Sequence, residues 1–195
     1  MDDRYDRAVA AVDAANADDP NTIMVRGVER PKEQAHAELM TEWVQRLDPE
    51  AEVAQLLAAR AHHLRRWALP RSSYPDGRAG YLRWRLALRD RHGVEVAELL
   101  KGVGYEPETA ERVRSIVRKE HLRTDPAVQT HEDALCLVFL ETQFDALTDQ
   151  LGDDKTVDVV RKTLAKMSPA AIQAALALTL SESGRRIVER AAAQP

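Results

Sequence analysis

Two stretches bring together side chains that could do chemistry. AARAHHLRRWALPRSSYP, residues 58–75, runs from an apolar segment into His62 and His63, then Arg65, Arg66 and Trp67, and then a loop with two prolines. Downstream, Tyr81, Trp84, Arg85, Leu88 and His92 recur at i, i+3, i+4, i+7 and i+11, one stripe of a helix. Aromatic and leucine positions on such a stripe are ordinary core. An arginine and a histidine beside them need partners or a ligand, because stranding them away from water is costly. Imidazole binds divalent metals, and the guanidinium fork matches phosphate or carboxylate. Adjacent residues on a helix point about 100° apart, so His62 and His63 are not expected to face one metal together. His63 groups with Arg66 and Trp67, and His63 and His92 are expected to face each other across one pocket with Arg85 nearby.

Acids suited to the same site flank the apolar run ALCLVFL: Glu132, Asp133 and Glu141. Thr130 and Asp133 also have the spacing of a capping box, which gives Asp133 a purely structural role. Glu141, one residue past LVFL, needs a compensating metal, an arginine from the 60–91 segment or a lysine such as Lys119 if it is buried. Lys119-Glu120-His121 offers further charge of both signs.

The elements that must position these groups read as helices. In 195 residues there are eight glycines and nine prolines, 44% hydrophobic and 31% charged residues, enough for one folded core. Helical periodicity covers 2–16, 31–47, about 50–67, 81–103, 107–120, 130–147, 154–166, 169–179 and 182–193. NADDPNTIMVRGVERP reads as a loop, Gly102 and Gly104 as a helix stop, and Ser168-Pro169 as an N-cap followed by N1. The expectation is all-α: one compact multi-helix domain over 1–195, with 168–195 a helical extension packed on it.

The net charge is −4, yet the segment from Arg60 to Arg91 holds nine arginines against Asp76 and Asp90, while the other 163 residues hold thirteen arginines. That density suggests a small anionic or phosphorylated partner, with nucleic acid a less favoured one. The acidic start is not a signal peptide, no apolar run reaches membrane-spanning length, and the one cysteine, Cys136, closes no disulfide. A cytoplasmic location is expected, and oligomeric state is not legible. Lys166-Met167-Ser168 is too short to indicate a tRNA synthetase loop.

RRWALPRSSYP, RAGYLRWR, KEHLRTDPAVQTHEDALCLVFLE and RKTLAKMS together resemble the domain-of-unknown-function family numbered 4202, over nearly the whole chain. The resemblance implies functional positions at His63, Arg66, Trp67, Arg71, Tyr81, Trp84, Arg85, His92, Lys119, Glu120, Asp133 and Glu141. It implies other residues at the places of His36, His62, His121 and His131, which argues against those four as ligands. A more distant similarity is to the HD metal-dependent phosphohydrolases, all-helical enzymes with a His, a His-Asp pair and a later Asp. LAARAHHL falls where these carry the His-Asp pair, but no Asp follows His62 or His63.

The resemblances imply an HD-like hydrolase of a small phosphorylated or anionic molecule. His63, His92 and Asp133 or Glu141 would hold a divalent metal ion. Arg66, Arg71 and Arg85 would clamp the anion, Trp67, Tyr81 and Trp84 would wall the site, and Lys119 and Glu120 would be catalytic. The alternative is a non-catalytic nucleotide- or RNA-binding module on a degenerate scaffold of the same type. A di-iron oxygenase needs more ligands than the sequence places.

Overall fold

The computed structural model describes residues 3–193, apart from the side chain of Asp145; the ends of the expected 1–195 unit, 1–2 and 194–195, lie outside the described residues. The chain is mostly helical. Helices α1 (Asp3–Asn16), α2 (Lys32–Leu47), α3 (Val53–Arg60), α4 (Gly77–Val103), α5 (Pro107–Val117) and α6 (Pro126–Thr142) carry the first two thirds. Four more, α7 (Phe144–Leu151), α8 (Asp153–Leu164), α9 (Pro169–Leu176) and α10 (Glu182–Ala192), complete it.

One expectation is corrected at once. The segment read as loop folds as an antiparallel hairpin, β1 (Thr22–Val25) with β2 (Val28–Pro31), in the register Thr22↔Pro31 to Val25↔Val28. Its two-residue turn, Arg26-Gly27, has φ of 51° and 80° at the two central positions, the mirror-image turn that matches strand twist. The strands are four residues each, too short for an alternating pattern to stand out, and only Val25 is buried.

Buried apolar side chains form one cluster that runs from Tyr5 to Ala191 and includes Met40, Leu57, Leu100, Ile116, Leu137 and Leu140. The expected central helix is α6: Ala134, Leu137 and Val138 are fully covered. It begins at Pro126 rather than Thr130, because Asp125 caps it by accepting from the Ala127 N–H at 3.0 Å. Thr130 and Asp133 are therefore interior positions, and the capping-box role for Asp133 is overturned. The helix also stops at Thr142, and the run expected to reach Leu147 continues as the separate α7. Ser168 caps α9 as expected, accepting from the Ala171 N–H at 3.2 Å. Gly104, at φ 93°, ends α4.

The second correction concerns the end of α3. The helix stops at Arg60, where a two-pronged bond to Asp13 at 2.8 and 2.6 Å ties it to α1. Residues 61–65 are turns, and Arg65 takes a left-handed φ of 46°. His62 and His63 therefore lie beyond the regular helix, and the 100° separation does not apply to them. Among the described residues, no helix is long and apolar enough to cross a membrane.

Candidate functional site

Five of the six histidines converge. His36 comes from the middle of α2, His62 and His63 from the turn after α3, His92 from α4 and His131 from α6. The His36 and His63 rings stack with centroids 4.1 Å apart, and His62 lies 4.5 Å from His63. His131 meets His62 edge-on at 4.6 Å, and His63 faces His92 at 5.8 Å, the approach expected from the sequence. One ligand nitrogen from each of His36, His62 and His63 lies within 4.8 Å of the other two, close enough for a single ion to reach all three.

The hydrogen bonds specify which nitrogens remain. Glu33, one turn before His36 on α2, meets His63 Nδ1 at 3.1 Å. His62 Nδ1 and His131 Nε2 are hydrogen-bonded at 2.7 Å, one donating to the other. These contacts leave the Nε2 atoms of His62 and His63 for a metal, and they orient the rings as outer-shell partners of metal-bound imidazoles do. Three buried ring nitrogens have no hydrogen-bond partner: His36 Nε2, His92 Nε2 and His131 Nδ1. Buried polar atoms are rarely left so, and among the described residues these three belong to one imidazole cluster.

Burial sets the charge state. It pushes His36, His92 and His131 down to about 3, helped by neighbouring cations, Arg66 for His36 and His92 and Lys119 for His131. His62 and His63 are also held well below the ordinary range by burial and by the other rings. All five imidazoles are therefore neutral at pH 7, the form that coordinates metal. Burial pushes Glu33 up to about 7, opposed by Arg66 and Lys32. A cation beside it would favour the carboxylate. Three neutral imidazoles with a carboxylate behind one of them suit a borderline divalent ion such as zinc, iron, cobalt or nickel.

The cluster opens into a pocket of about 320 Å³ between α4, the end of α5 and the turn after α3. Its cations are Arg66, Arg85, Arg89, Arg118 and Lys119. Lys119 sits just past α5 with a left-handed φ of 56°, which turns its ammonium inward onto Glu132 of α6. Arg85 lies against Tyr81, its guanidinium 5.9 Å from the ring centroid. A second, much smaller cavity of about 50 Å³ touches His36 and His63 from the hairpin side, beside Ile23, Val25 and Lys32.

Of the residues singled out in the sequence, the pocket takes His63, Arg66, Arg85, His92 and Lys119. The others are placed elsewhere. Arg71 clamps its own loop, donating to the Tyr74 and Pro75 carbonyls at 2.8 and 2.9 Å. Trp84 donates to the Leu69 carbonyl at 2.9 Å and its face is covered by Arg66 at 4.8 Å, while Tyr81 lies under Arg85. Trp67 is half-buried on a short 3-10 turn. Glu120 holds Arg118 at 2.8 Å and Arg114 at 3.3 Å. Asp133 accepts from the Ser168 N–H and from Gln129, both at 2.9 Å, and so anchors the start of α9. Burial pushes the Cys136 thiol up to about 12, so it is not a nucleophile at neutral pH.

Glu141 finds compensation that none of the sequence-level options included: it accepts from Trp43 Nε1 at 2.9 Å and from Arg26 of the hairpin turn at 3.4 Å. Both oxygens are engaged by these two partners, and Glu141 is not among the residues lining the imidazole pocket. Glu141→Gln is therefore expected to leave metal content unchanged and to cost about 1 kcal/mol in urea denaturation, since the amide still accepts from Trp43. Loss of bound metal in that variant would reopen its candidacy as a ligand.

The residues missed from sequence are Glu33 among the imidazoles and Arg118 in the pocket; the family resemblance argues against His36, His62 and His131 as ligands, and the sequence offers Glu132 as an acid without its partner Lys119. The available signal was histidine itself: six in the chain, five of them falling on four separate segments.

A mostly helical protein with a buried, uncharged imidazole cluster at the base of a cationic pocket is the class that this geometry defines. The family model "Domain of unknown function (DUF4202)" matches residues 6–188, and the chain belongs to that family. None of the curated proteins and none of the solved structures matches it.

Proposed function

We propose that this protein is a metal-dependent hydrolase of a small phosphorylated or otherwise anionic molecule, on an HD-like scaffold in which no aspartate follows His62 or His63. The observation that carries the reading is the convergence of His36, His62 and His63, ligand atoms within 4.8 Å, with His62 and His63 also lining an arginine- and lysine-rich pocket. His36, His62 and His63 would hold a dication there, which would supply Lewis acidity and activate water for attack.

The chain's own residues do the rest. Arg66 and Arg85 bind the anion from two walls and stabilise charge that develops during phosphoryl transfer. Lys119 adds a third donor from the pocket floor. Glu33 fixes the His63 tautomer. His92, neutral and with a free Nε2, is placed to hydrogen-bond to the bound group. In hydrolysis, water oxygen forms the new bond to phosphorus, the ester P–O bond breaks, and the leaving oxygen takes a proton.

The test is elemental analysis together with phosphate release from p-nitrophenyl phosphate. About one equivalent of divalent metal per chain is expected, with turnover abolished by chelation. His63→Gln should lower metal affinity at least 100-fold, beyond the 10–100-fold seen for outer-shell changes. Inorganic phosphate should also raise the melting temperature. Arg85→Ala should reduce that shift, while Arg46→Ala, whose guanidinium lies over Trp43 5.0 Å from the ring centroid, should not. Failure to bind zinc, manganese, iron, cobalt or nickel at millimolar excess would rule out the metal. A phosphate-dependent shift surviving alone would then favour the non-catalytic binding module.

A further inference from the structure

The composition of the pocket wall goes beyond charge. Apart from its cations and His62, His63 and His92, the lining is wholly aliphatic: Leu82, Leu86, Leu88, Val117 and Leu135. Among the described residues, no Asp, Glu, Asn, Gln, Ser or Thr lines it, and no Phe, Tyr or Trp. Trp84 does not line the pocket, and one face of its indole is covered by Arg66 at 4.8 Å. Along α4, Leu82, Arg85, Leu86 and Arg89 fall at i, i+3, i+4 and i+7, so apolar and cationic groups share one helix face. Leu82 and Leu86 are 55% and 50% exposed, which leaves apolar surface uncovered at the pocket mouth.

We infer that the pocket takes an aliphatic phosphate monoester, a phosphate on a hydrocarbon chain, and discriminates against nucleotides and sugar phosphates. This deepens the reading above and rests on its assignment of the pocket as the substrate site. A phosphate head meets Arg66, Arg85, Arg89, Arg118 and Lys119. A buried ribose would bring hydroxyl donors to a wall whose only side-chain acceptors are the imidazole nitrogens, and leaving such groups unpaired is costly. A base would find neither an aromatic face nor a side-chain amide or carboxylate to read its edge. A hydrocarbon chain needs none of these and covers the leucines. His92 Nε2, buried and unpartnered in the wall, marks the head-group end of the site.

The experiment is calorimetric titration of the chelator-treated protein with inorganic phosphate, n-butyl phosphate, n-hexyl phosphate, ribose 5-phosphate and adenosine 5′-monophosphate. Full burial of a methylene is worth about fourfold in affinity, and in a pocket open on one side about twofold is expected for each added carbon. Hexyl phosphate should therefore bind about fourfold tighter than butyl phosphate, with the ribosyl compounds no tighter than inorganic phosphate. Leu86→Ser, at an exposed position that the fold does not need, should flatten the series and leave inorganic phosphate binding unchanged.

A series independent of chain length, adenosine 5′-monophosphate binding tighter than hexyl phosphate, or a series that Leu86→Ser does not alter would overturn the inference, as would no binding by any of the five. Because these titrations need neither metal nor turnover, they separate this inference from the hydrolase reading. A flat series beside intact phosphate release would remove the substrate class and leave the hydrolase standing.

Discussion

Acidification from pH 7 to pH 5 is expected to remove about 4 kcal/mol from the stability of the metal-free protein. His36, His92 and His131 have folded-state values of about 3 against 6.5 when exposed. A base whose value is depressed by folding contributes its full stability above the unfolded value and loses it as pH falls from about 6.5 toward 3. At pH 5 the unfolded chain has bound a proton at each of these three and the folded chain at none, a loss of about 2 kcal/mol apiece. His62 and His63 push in the same direction. Glu33 opposes them: its value is raised from 4.5 to about 7, so it takes up a proton in the folded state first and returns about 2 kcal/mol over the same interval.

Urea denaturation at pH 7, 6 and 5 after chelation measures the balance. With a slope near 2 kcal/mol/M, the midpoint should fall by about 2 M. His92→Gln should recover close to half of that fall. A midpoint that does not move with pH would mean that the imidazoles are solvated, and the site would lose its claim to be built for a ligand. Metal should protect against acid, because protons and the ion compete for the same nitrogens.

Glu132→Gln is expected to destabilise the protein by about 3 kcal/mol, the lower end of the range for breaking a buried pair. Its side chain is 6% exposed and that of Lys119 19%, and the two are in direct contact. Burial lowers the Lys119 pKa and Glu132 opposes it; without the carboxylate, the ammonium is stranded. For a chain of this size the melting temperature should drop by about 6–12 °C. The double variant Lys119→Met, Glu132→Gln should regain most of that loss, since it removes both charges together. Inorganic phosphate should rescue the single variant in part, because Lys119 also lines the pocket. An effect below about 1 kcal/mol, with no rescue, would show the ammonium to be solvated and take Lys119 out of the anion site.

The arginine-rich segment illustrates how far composition reaches. Its density pointed to an anion, yet its nine arginines divide among several tasks. Arg60 ties α3 to α1 through Asp13, Arg65 and Arg91 meet Glu95, and Arg71 braces its own loop. Arg66, Arg85 and Arg89 remain for the pocket. Arg118, outside the segment, joins them because α5 packs along α4. A local count cannot sort these roles, since each depends on a partner far away in sequence.

By itself, the sequence determined that the chain is helical, where Ser168 and Gly104 punctuate it, which helix is central, and that His63 and His92 approach each other with Arg85 nearby. Those features follow from periodicity, capping and local residue type. The tertiary structure alone decided the rest. His62 joins His63 because α3 ends at Arg60 and the chain turns, a stop without a proline or glycine to announce it. Arg26-Gly27 forms a hairpin whose strands are too short to show alternation. Glu141 is neutralised by Trp43 and Arg26, 98 and 115 residues away along the chain. His36, Glu33 and His131 lie on apolar helix faces where a single polar residue reads as a tolerated exception. Only the packing of α2 and α6 around the turn after α3 makes them neighbours, because burial and mutual proximity are properties of the folded contact set and not of any one segment.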